Sequence, residues 1–201
     1  MLTALLANTA LLTLGIVGGV VLLLVIIFAA WWIKVRNDFV RLKNKAEEGL
    51  ATIDVFLKKR YDLIPNLVST VKGYAKYEQE TLEKVIAARN LSAGAKTMAE
   101  KSAAANDLTA SLRTVFNMVA ESYPQLQANA GFLDLQNQLK MLEGELEGAR
   151  RYYNGVVKTF NTKLEIFPDS MVVKGMGADY TKKEYFELDS EVERKNVEVS
   201  F

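Results

Sequence analysis

The chain begins with a long apolar stretch that carries no charged side chain before Lys34, and residues 11–33 are almost entirely apolar. A helix of about 20 apolar residues spans the ~30 Å hydrocarbon core of a bilayer. A cleaved signal peptide would need a basic N-terminal region and a shorter apolar core, whereas residues 1–10 contain no Lys or Arg. The pattern therefore predicts an uncleaved transmembrane helix over residues 11–33.

After Lys34, apolar side chains recur at every third or fourth position, which is the spacing of amphipathic helices and not of strands. The first two series extend from Phe39 to Ile64 and from Val68 to Val85, with Pro65 between them. Proline lacks a backbone N–H and clashes with the preceding turn, so the chain must either kink or turn at this point. The apolar spacing keeps its phase across Pro65, which favours a kink. A division of the chain at Pro65 would instead give two segments that match the later helices in length, which favours a turn.

Two further amphipathic series follow a turn that we predict at residues 90–96. The third series covers residues 105–119, and the fourth, the cleanest in the chain, covers residues 132–167 and is stopped by Pro168. We expect a structured break between these two series. Long amphipathic helices with short connections are typical of an antiparallel bundle.

The sequence after Pro168 is less regular. Residues 169–186 are mixed and predict either a short helix or a folded-back loop, and residues 187–201 are polar and acidic. We expect this last segment to be a tail that is disordered unless a partner chain holds it. We therefore predict an all-α fold. A short outside tail (1–10) and a transmembrane helix (11–33) precede an elongated up-and-down bundle of three to four long helices (34–186) and an acidic tail (187–201).

Composition removes many classes of enzyme. The chain has 25 Lys and Arg, 24 Asp and Glu, and neither His nor Cys. Disulfides, thiolate metal sites, imidazole bases and Ser-His-Asp triads are thereby excluded. A formal net charge of +1 argues against a nucleic-acid partner. The chain also lacks a Gly-rich phosphate loop and a G-x-S-x-G motif. We expect no catalytic residue, no cofactor and no metal.

The charges that flank the apolar stretch predict its orientation. The N-terminal flank has no Lys or Arg, whereas the other flank combines a tryptophan pair with five basic residues. These predicted membrane-interface residues are Trp31, Trp32, Lys34, Arg36, Arg41, Lys43 and Lys45. The positive-inside rule places the basic flank and the bulk of the chain in the cytoplasm, with the N-terminus outside the inner membrane. We expect anionic lipids to attract these cations.

Two features suggest self-association. Gly15 and Gly19 form a G-x-x-x-G pair with Gly18 beside it, and such a face lets membrane helices approach closely, although glycine is also simply common in these helices. Residues 34–60 carry eight basic and four acidic side chains, and residues 184–201 carry six acidic and two basic ones. The acidic tail can therefore pair head-to-tail with a neighbour's basic segment, and we expect a homo-oligomer.

Several polar groups are candidate binding sites. Arg60, Asp62 and Asn66 surround Pro65 and either form a binding notch or, as we favour, satisfy the backbone groups that the proline frees. Arg89 is expected to close a helix end, where a cation complements the helix dipole, and Asn90 belongs to the same end.

Three polar residues of the fourth series, Arg150, Tyr153 and Asn154, lie near one helix face and are expected to bridge to Asp62 as a structural contact. Glu143 and Glu147 are four residues apart, but without a third ligand we expect a solvated face and not a metal or acid–base site.

Lys182 and Lys183 follow the fourth series. They either contact lipid headgroups or acidic partners, or they are ordinary solvated loop charges.

An ordered set of strings resembles the LemA family over roughly residues 36–187. The strings are Arg60-Tyr61-Asp62-Leu63-Ile64-Pro65-Asn66, Arg89-Asn90, Tyr123-Pro124, Arg150, Tyr153-Asn154, Phe167-Pro168 and Tyr185-Phe186. The sequence departs from the family pattern at Gly144-Glu145-Leu146-Glu147, where the family usually has Asn-Arg-Ile-Ala. Gly144 and Gly148 should loosen that helix locally, since glycine costs ~1 kcal/mol relative to alanine in a helix interior.

The resemblance implies a helical bundle on a membrane anchor without an established enzymatic activity. Some members of the family are linked to membrane remodelling, including magnetosome formation, and others resemble partners of membrane proteases. Our first hypothesis is therefore a membrane-anchored scaffold that self-assembles. The alternatives are an adaptor or regulator of another membrane protein, such as a protease, and an enzyme that uses only Asp, Glu, Lys, Ser or Tyr.

Overall fold

A computed structural model describes residues 2–75, 77–177 and 180–186, with side-chain surroundings from residue 12 onwards. Within these ranges every regular element is a helix, and the predicted all-α fold is confirmed. The helices are α1 (Leu2–Lys72), α2 (Gln79–Gly94), α3 (Met98–Ser122), α4 (Pro124–Gln127), α5 (Ala130–Glu165) and α6 (Asp169–Val173). The predicted acidic tail lies outside the described residues. Helix α1 passes residues 33 and 34 without interruption. The limit between the transmembrane helix and the bundle, like the other domain limits, therefore stays a prediction.

Helix α1 continues through Pro65 to Lys72, so the turn that segment length favoured is wrong. The continuing phase of the apolar series explains this result, because Ile64, Val68 and Val71 remain buried on either side of the proline. Proline cannot donate to the carbonyl four residues earlier, which belongs to Tyr61. This carbonyl oxygen instead accepts a hydrogen bond from Arg89 Nε of α2, at 3.4 Å.

The chain divides into two compact units. The first unit comprises Met1–Asn44 and Thr159–Lys182, and the second comprises Lys45–Lys158 and Lys183–Phe201. Helices α1 and α5 each contribute to both units.

The second unit is built from α1 after Lys45, α2, α3, α4 and the first part of α5, which pack around two apolar clusters. The larger cluster comprises Ile64, Leu67, Val68, Val71, Ala75, Leu82, Val85, Ala88, Leu108, Leu112, Val115, Val119, Leu126, Phe132 and Leu139. The smaller cluster comprises Ala46, Ile53, Leu57, Ala105, Leu146, Ala149, Tyr153, Val157 and Phe186. All four long helices present a narrow apolar stripe to these clusters, as their sequence spacing predicts.

Polar contacts establish the helix directions in the second unit. Lys101 Nζ contacts Asp54 at 2.6 Å and Arg60 donates to Thr109, so α3 runs parallel to α1. Arg60 also contacts Glu143, and the cluster that contains Ala46 continues to Val157, so α5 runs antiparallel to α1. Short connections join α1 to α2 and α2 to α3. The four long helices therefore form the predicted up-and-down arrangement within this unit.

The connections have defined structures. The predicted turn at residues 90–96 is wrong over residues 90–94, because α2 continues to Gly94. Thr97 then caps the start of α3 in a capping box with Glu100. The expected structured break after α3 is confirmed. Tyr123 Oη donates to Glu78 at 3.1 Å, and Asn129 Oδ1 accepts from the backbone N–H of Phe132 at 3.1 Å as α5 begins.

The first unit surrounds a smaller cluster formed by α1, the end of α5 and α6. Its buried residues are Val35, Phe39, Phe160 and Val172. The rings of Phe39 and Phe160 meet edge to face with centroids 5.9 Å apart. Lys163 Nζ lies 3.3 Å from Asp38 and 3.4 Å from Asp169, and it thereby links the three helices.

The bundle core predicts a contrast between two adjacent residues of α5. Phe132 is 1% exposed and packs against Phe116, whereas Leu133 is 40% exposed. We expect Phe132→Ala to lower the free energy of unfolding by about 3–5 kcal/mol, because it leaves a cavity in the larger cluster. Leu133→Ala should cost at most about 1 kcal/mol. Urea unfolding of the detergent-solubilised protein, followed by circular dichroism, measures both, and equal costs would contradict the packing described here.

Candidate functional site

The surface of α1 changes abruptly at Trp31. Side chains from residue 12 to residue 30 are exposed, although nearly all are apolar, and this is the single helix in the described part of the chain that is long and apolar enough to cross a membrane. Trp31 and Trp32 are half-buried, and Lys34 and Arg36 are exposed directly after them. A helix that is apolar on every side requires either burial or lipid. This part of α1 therefore has the character of a membrane anchor.

The predicted interface residues follow one another along α1 within about four turns. Arg41 and Lys45 are exposed, and Lys43 Nζ lies 5.5 Å from the centre of the Tyr180 ring. The tryptophan pair therefore stands at the boundary between the apolar stretch and the basic residues, as such residues do at membrane–water interfaces.

Gly15, Gly18 and Gly19 lie on the exposed part of α1. A Cβ atom built on any of the three would meet no other atom within 4 Å. The structure therefore leaves open space around all three glycines.

The polar groups around Pro65 have other partners than we expected. Arg89 lies inside α2 and not at its end, so its expected role in closing a helix is wrong; it satisfies the Tyr61 carbonyl and lies 5.7 Å from the Tyr61 ring centre. Asn90 accepts from Arg89 at 3.2 Å. Asn66 accepts from the Thr70 hydroxyl through its backbone oxygen, which is a contact within α1. The backbone group that the proline frees is thus satisfied from a second helix.

Arg60 is the most deeply buried cation in the second unit that the structure describes, with 3% of its side chain exposed. Its Nη1 lies 2.8 Å from Glu143 Oε2, and its Nη2 donates to Thr109 Oγ1 at 3.0 Å. Burial lowers the pKa of Arg60, with Arg150 acting in the same direction, and the Glu143 carboxylate partly offsets this effect. The expectation of a solvated Glu143 is wrong, because the buried guanidinium holds this carboxylate; Glu147 is exposed and pairs with Arg151.

A groove of about 620 Å³ lies beside this ion pair, between α3 and α5. Its lining includes Arg60, Thr109, Phe116, Lys140 and Glu143. The groove combines an aromatic ring with charged and amide groups.

The expected bridge from the fourth series to Asp62 is wrong, because Asp62 pairs with Lys58 on the same helix. Tyr153 Oη donates instead to the backbone oxygen of Glu184 at 2.9 Å, and burial raises the pKa of this phenol. Asn154 exchanges two hydrogen bonds with the backbone of Phe186, at 2.9 and 3.0 Å. These contacts hold the folded-back end of the described chain on α5.

Arg150 completes this contact, because its guanidinium carbon lies 4.7 Å from the centre of the buried Phe186 ring. An aromatic residue at position 186 is the sequence signal that could have identified the partner of Arg150.

The remaining predicted motif residues mark helix ends. Tyr123 caps α3 and Pro124 is the first residue of α4. Phe167 and Pro168 follow the end of α5, and the Phe167 side chain is 79% exposed.

The described residues contain no group of three or more Asp or Glu side chains placed to hold a metal ion. Lys182 pairs with Glu165, and the ring and amide contacts above join helix to helix.

The two carboxylates of α5 give a test of the buried ion pair. Breaking a fully buried pair costs about 3–5 kcal/mol, but Glu143 is itself 37% exposed, so we expect Glu143→Gln to lower the free energy of unfolding by about 2 kcal/mol. The control is Glu147→Gln, which breaks an exposed pair one turn away and should cost less than about 0.5 kcal/mol. Urea unfolding measures both, and a cost for Glu143→Gln as small as that of the control would contradict a structural role for Arg60.

Comparison with known proteins agrees with this architecture. The model of the LemA family matches residues 49–201, which is more than half of the chain. Protein LemA of Metamycoplasma hominis is 26% identical over 165 residues, which cover 82% of this chain and 74% of that protein. The matched region contains the bundle helices, the Arg60–Glu143 pair and the contact between Asn154 and Phe186. The chain therefore belongs to the LemA family.

Proposed function

We propose that this protein is a non-enzymatic scaffold that is anchored in the inner membrane, self-assembles there and organises or remodels the bilayer. The observation that carries this proposal is that one helix, α1, supplies both the exposed apolar segment and the first helix of the bundle, without linker residues between them. A scaffold that acts on a membrane needs such a direct connection between anchor and folded domain.

The proposed orientation places the N-terminus outside and the bulk of the chain in the cytoplasm. Its support is the series of cations that follows Trp32, since cytoplasmic flanks of membrane helices are enriched in Lys and Arg. Anionic headgroups attract such cations by about 1 kcal/mol each near the surface.

The proposed homo-oligomer is held mainly by helix packing in the bilayer. The support is the open surface at Gly15, Gly18 and Gly19, because small residues let backbones approach closely where van der Waals packing is the main attraction. Ion pairs between the basic segment and the acidic tail would contribute little individually. Attachment to one membrane raises the effective concentration of the subunits, so weak contacts add up.

The alternative is an adaptor or regulator of another membrane protein, such as a protease. The groove between α3 and α5 is the feature that favours it, since it offers Phe116 and Lys140 to a partner chain. A heterologous partner that is captured at a fixed ratio, together with a monomeric state of the protein alone, would favour this alternative.

The glycine face gives the test of self-assembly. We expect the combination of Gly15→Leu and Gly19→Leu to weaken the oligomer markedly, because bulky side chains at both positions separate the helices. The control, Val17→Leu with Val21→Leu, adds side-chain bulk at the same spacing on the opposite side of α1. Subunit counting in lipid nanodiscs over a range of protein concentrations measures both. A monomeric wild-type protein across that range would exclude the scaffold.

The orientation is tested separately. A reporter that is active only outside the cytoplasm, fused after Phe201, should remain inactive, because the basic flank retains the bulk of the chain inside. The control is the same reporter fused before Met1, which should be active. The reverse pattern would show that the orientation proposed here is wrong.

A further inference from the structure

The turn between α5 and α6, with the first residues of α6, exposes three apolar side chains within six residues of the chain. Ile166 is 47% exposed, Phe167 is 79% exposed and Met171 is 54% exposed. A single exposed apolar side chain is ordinary, whereas adjacent ones form a patch that marks a contact with another surface. We call these three residues the apolar tip.

The apolar tip lies level with the end of the exposed apolar part of α1. Phe160 packs against Phe39, and α5 runs antiparallel to α1 in the first unit. Ile166 is six residues beyond Phe160, which is about 9 Å along a helix axis at 1.5 Å per residue. The same distance back along α1 from Phe39 reaches Ile33, next to the tryptophan pair. The apolar tip and the end of the exposed apolar part of α1 therefore lie at about the same level along the axis of α1.

Two backbone hydrogen bonds close this turn. Ser170 N–H donates to the Ile166 carbonyl at 2.9 Å, and Met171 N–H donates to the Pro168 carbonyl at 3.1 Å. Backbone groups that are paired in this way lower the cost of approaching hydrocarbon.

Both carboxylates that flank the apolar tip are paired with lysines. Glu165, which precedes it, pairs with Lys182, and Asp169 pairs with Lys163 at 3.4 Å. These paired carboxylates therefore repel anionic headgroups less than free carboxylates would. Lys174, which is exposed and close by in sequence, adds a positive charge near the apolar tip.

We propose that the apolar tip inserts into the headgroup–acyl boundary of the same bilayer that α1 crosses, as a second membrane contact of this chain. A single spanning helix is free to rotate about its own axis and to shift in depth. A second contact beside it sets the depth and the rotation of the first unit in the membrane. This proposal rests on α1 being a membrane anchor, as in the proposed function, but it does not require self-assembly.

The absence of cysteine allows a direct test. Phe167→Cys and, separately, Met171→Cys are labelled with an environment-sensitive fluorophore in the full chain, reconstituted in vesicles of phosphatidylcholine and phosphatidylglycerol. Some vesicles contain lipid with a spin label close to the headgroup. We expect blue-shifted emission and a loss of about half or more of it to the spin-labelled lipid, since interfacial elements lie ~5–10 Å deep at this boundary.

The matched control is Asn44→Cys, which is exposed on α1 of the same unit. It lies 11 residues beyond Ile33, about 16 Å further along the helix, so its label should resist the spin-labelled lipid and respond to aqueous iodide. Labels at the tip that behave like the one at Asn44 would overturn the proposal.

Two further readings separate the possible failures. Trp31 and Trp32 are the only tryptophans in the chain, so quenching of their fluorescence by the same lipid tests the anchor itself. Quenched tryptophans with unquenched tip labels refute tip insertion alone, and unquenched tryptophans refute the anchor as well. Tip labels that are blue-shifted but unquenched, and that become exposed as the protein is diluted in lipid, would show that a second copy covers the tip instead.

Discussion

The continuity of α1 is the constraint on which the rest of the structure depends. This helix supplies buried side chains to all three apolar clusters, among them Phe39, Ile53 and Ile64. A proline inside it should interrupt the helix at a cost of about 3 kcal/mol. Arg89 reduces that cost, because its guanidinium replaces the missing backbone donor at Tyr61 and also covers the Tyr61 ring. A contact from α2 thus lets α1 continue past Pro65 to Lys72.

Polar contacts set the register of the helices around α1. Clusters of Ala, Val and Leu pack nearly as well after a shift of one turn, whereas the Arg60–Glu143 pair and its bond to Thr109 fit one alignment. Buried ion pairs contribute uncertain net stability, because desolvation offsets their attraction. We therefore interpret this pair as a device for alignment, and the hydrogen bonds of Asn154 as the corresponding device for the end of the described chain.

Local patterns in the sequence predicted most of the helices, and long-range partners explain what they missed. The apolar stretch, the amphipathic series and the break near Pro124 depend on neighbouring residues, so periodicity identifies them. The continuation of α1 through Pro65 depends on a donor from Arg89, which lies 28 residues after the Tyr61 carbonyl that it satisfies. The periodicity of apolar residues carries no information on such a distant partner. The ion pair of Glu143 is likewise invisible on α5 alone, because its buried partner, Arg60, lies on another helix. The partner of Asn154 was missed for the same reason.

The most informative part of α1 is the boundary at which its residue pattern changes from that of a helix in lipid to that of a helix in water. A helix in water carries a narrow apolar stripe, and a helix in lipid is apolar on every side. Both patterns occur in α1, with the change at Trp31, where side chains first become half-buried. The cations that follow cannot enter hydrocarbon cheaply, and the residues before them cannot remain in water without association. The position of this boundary along α1 therefore follows from solvation.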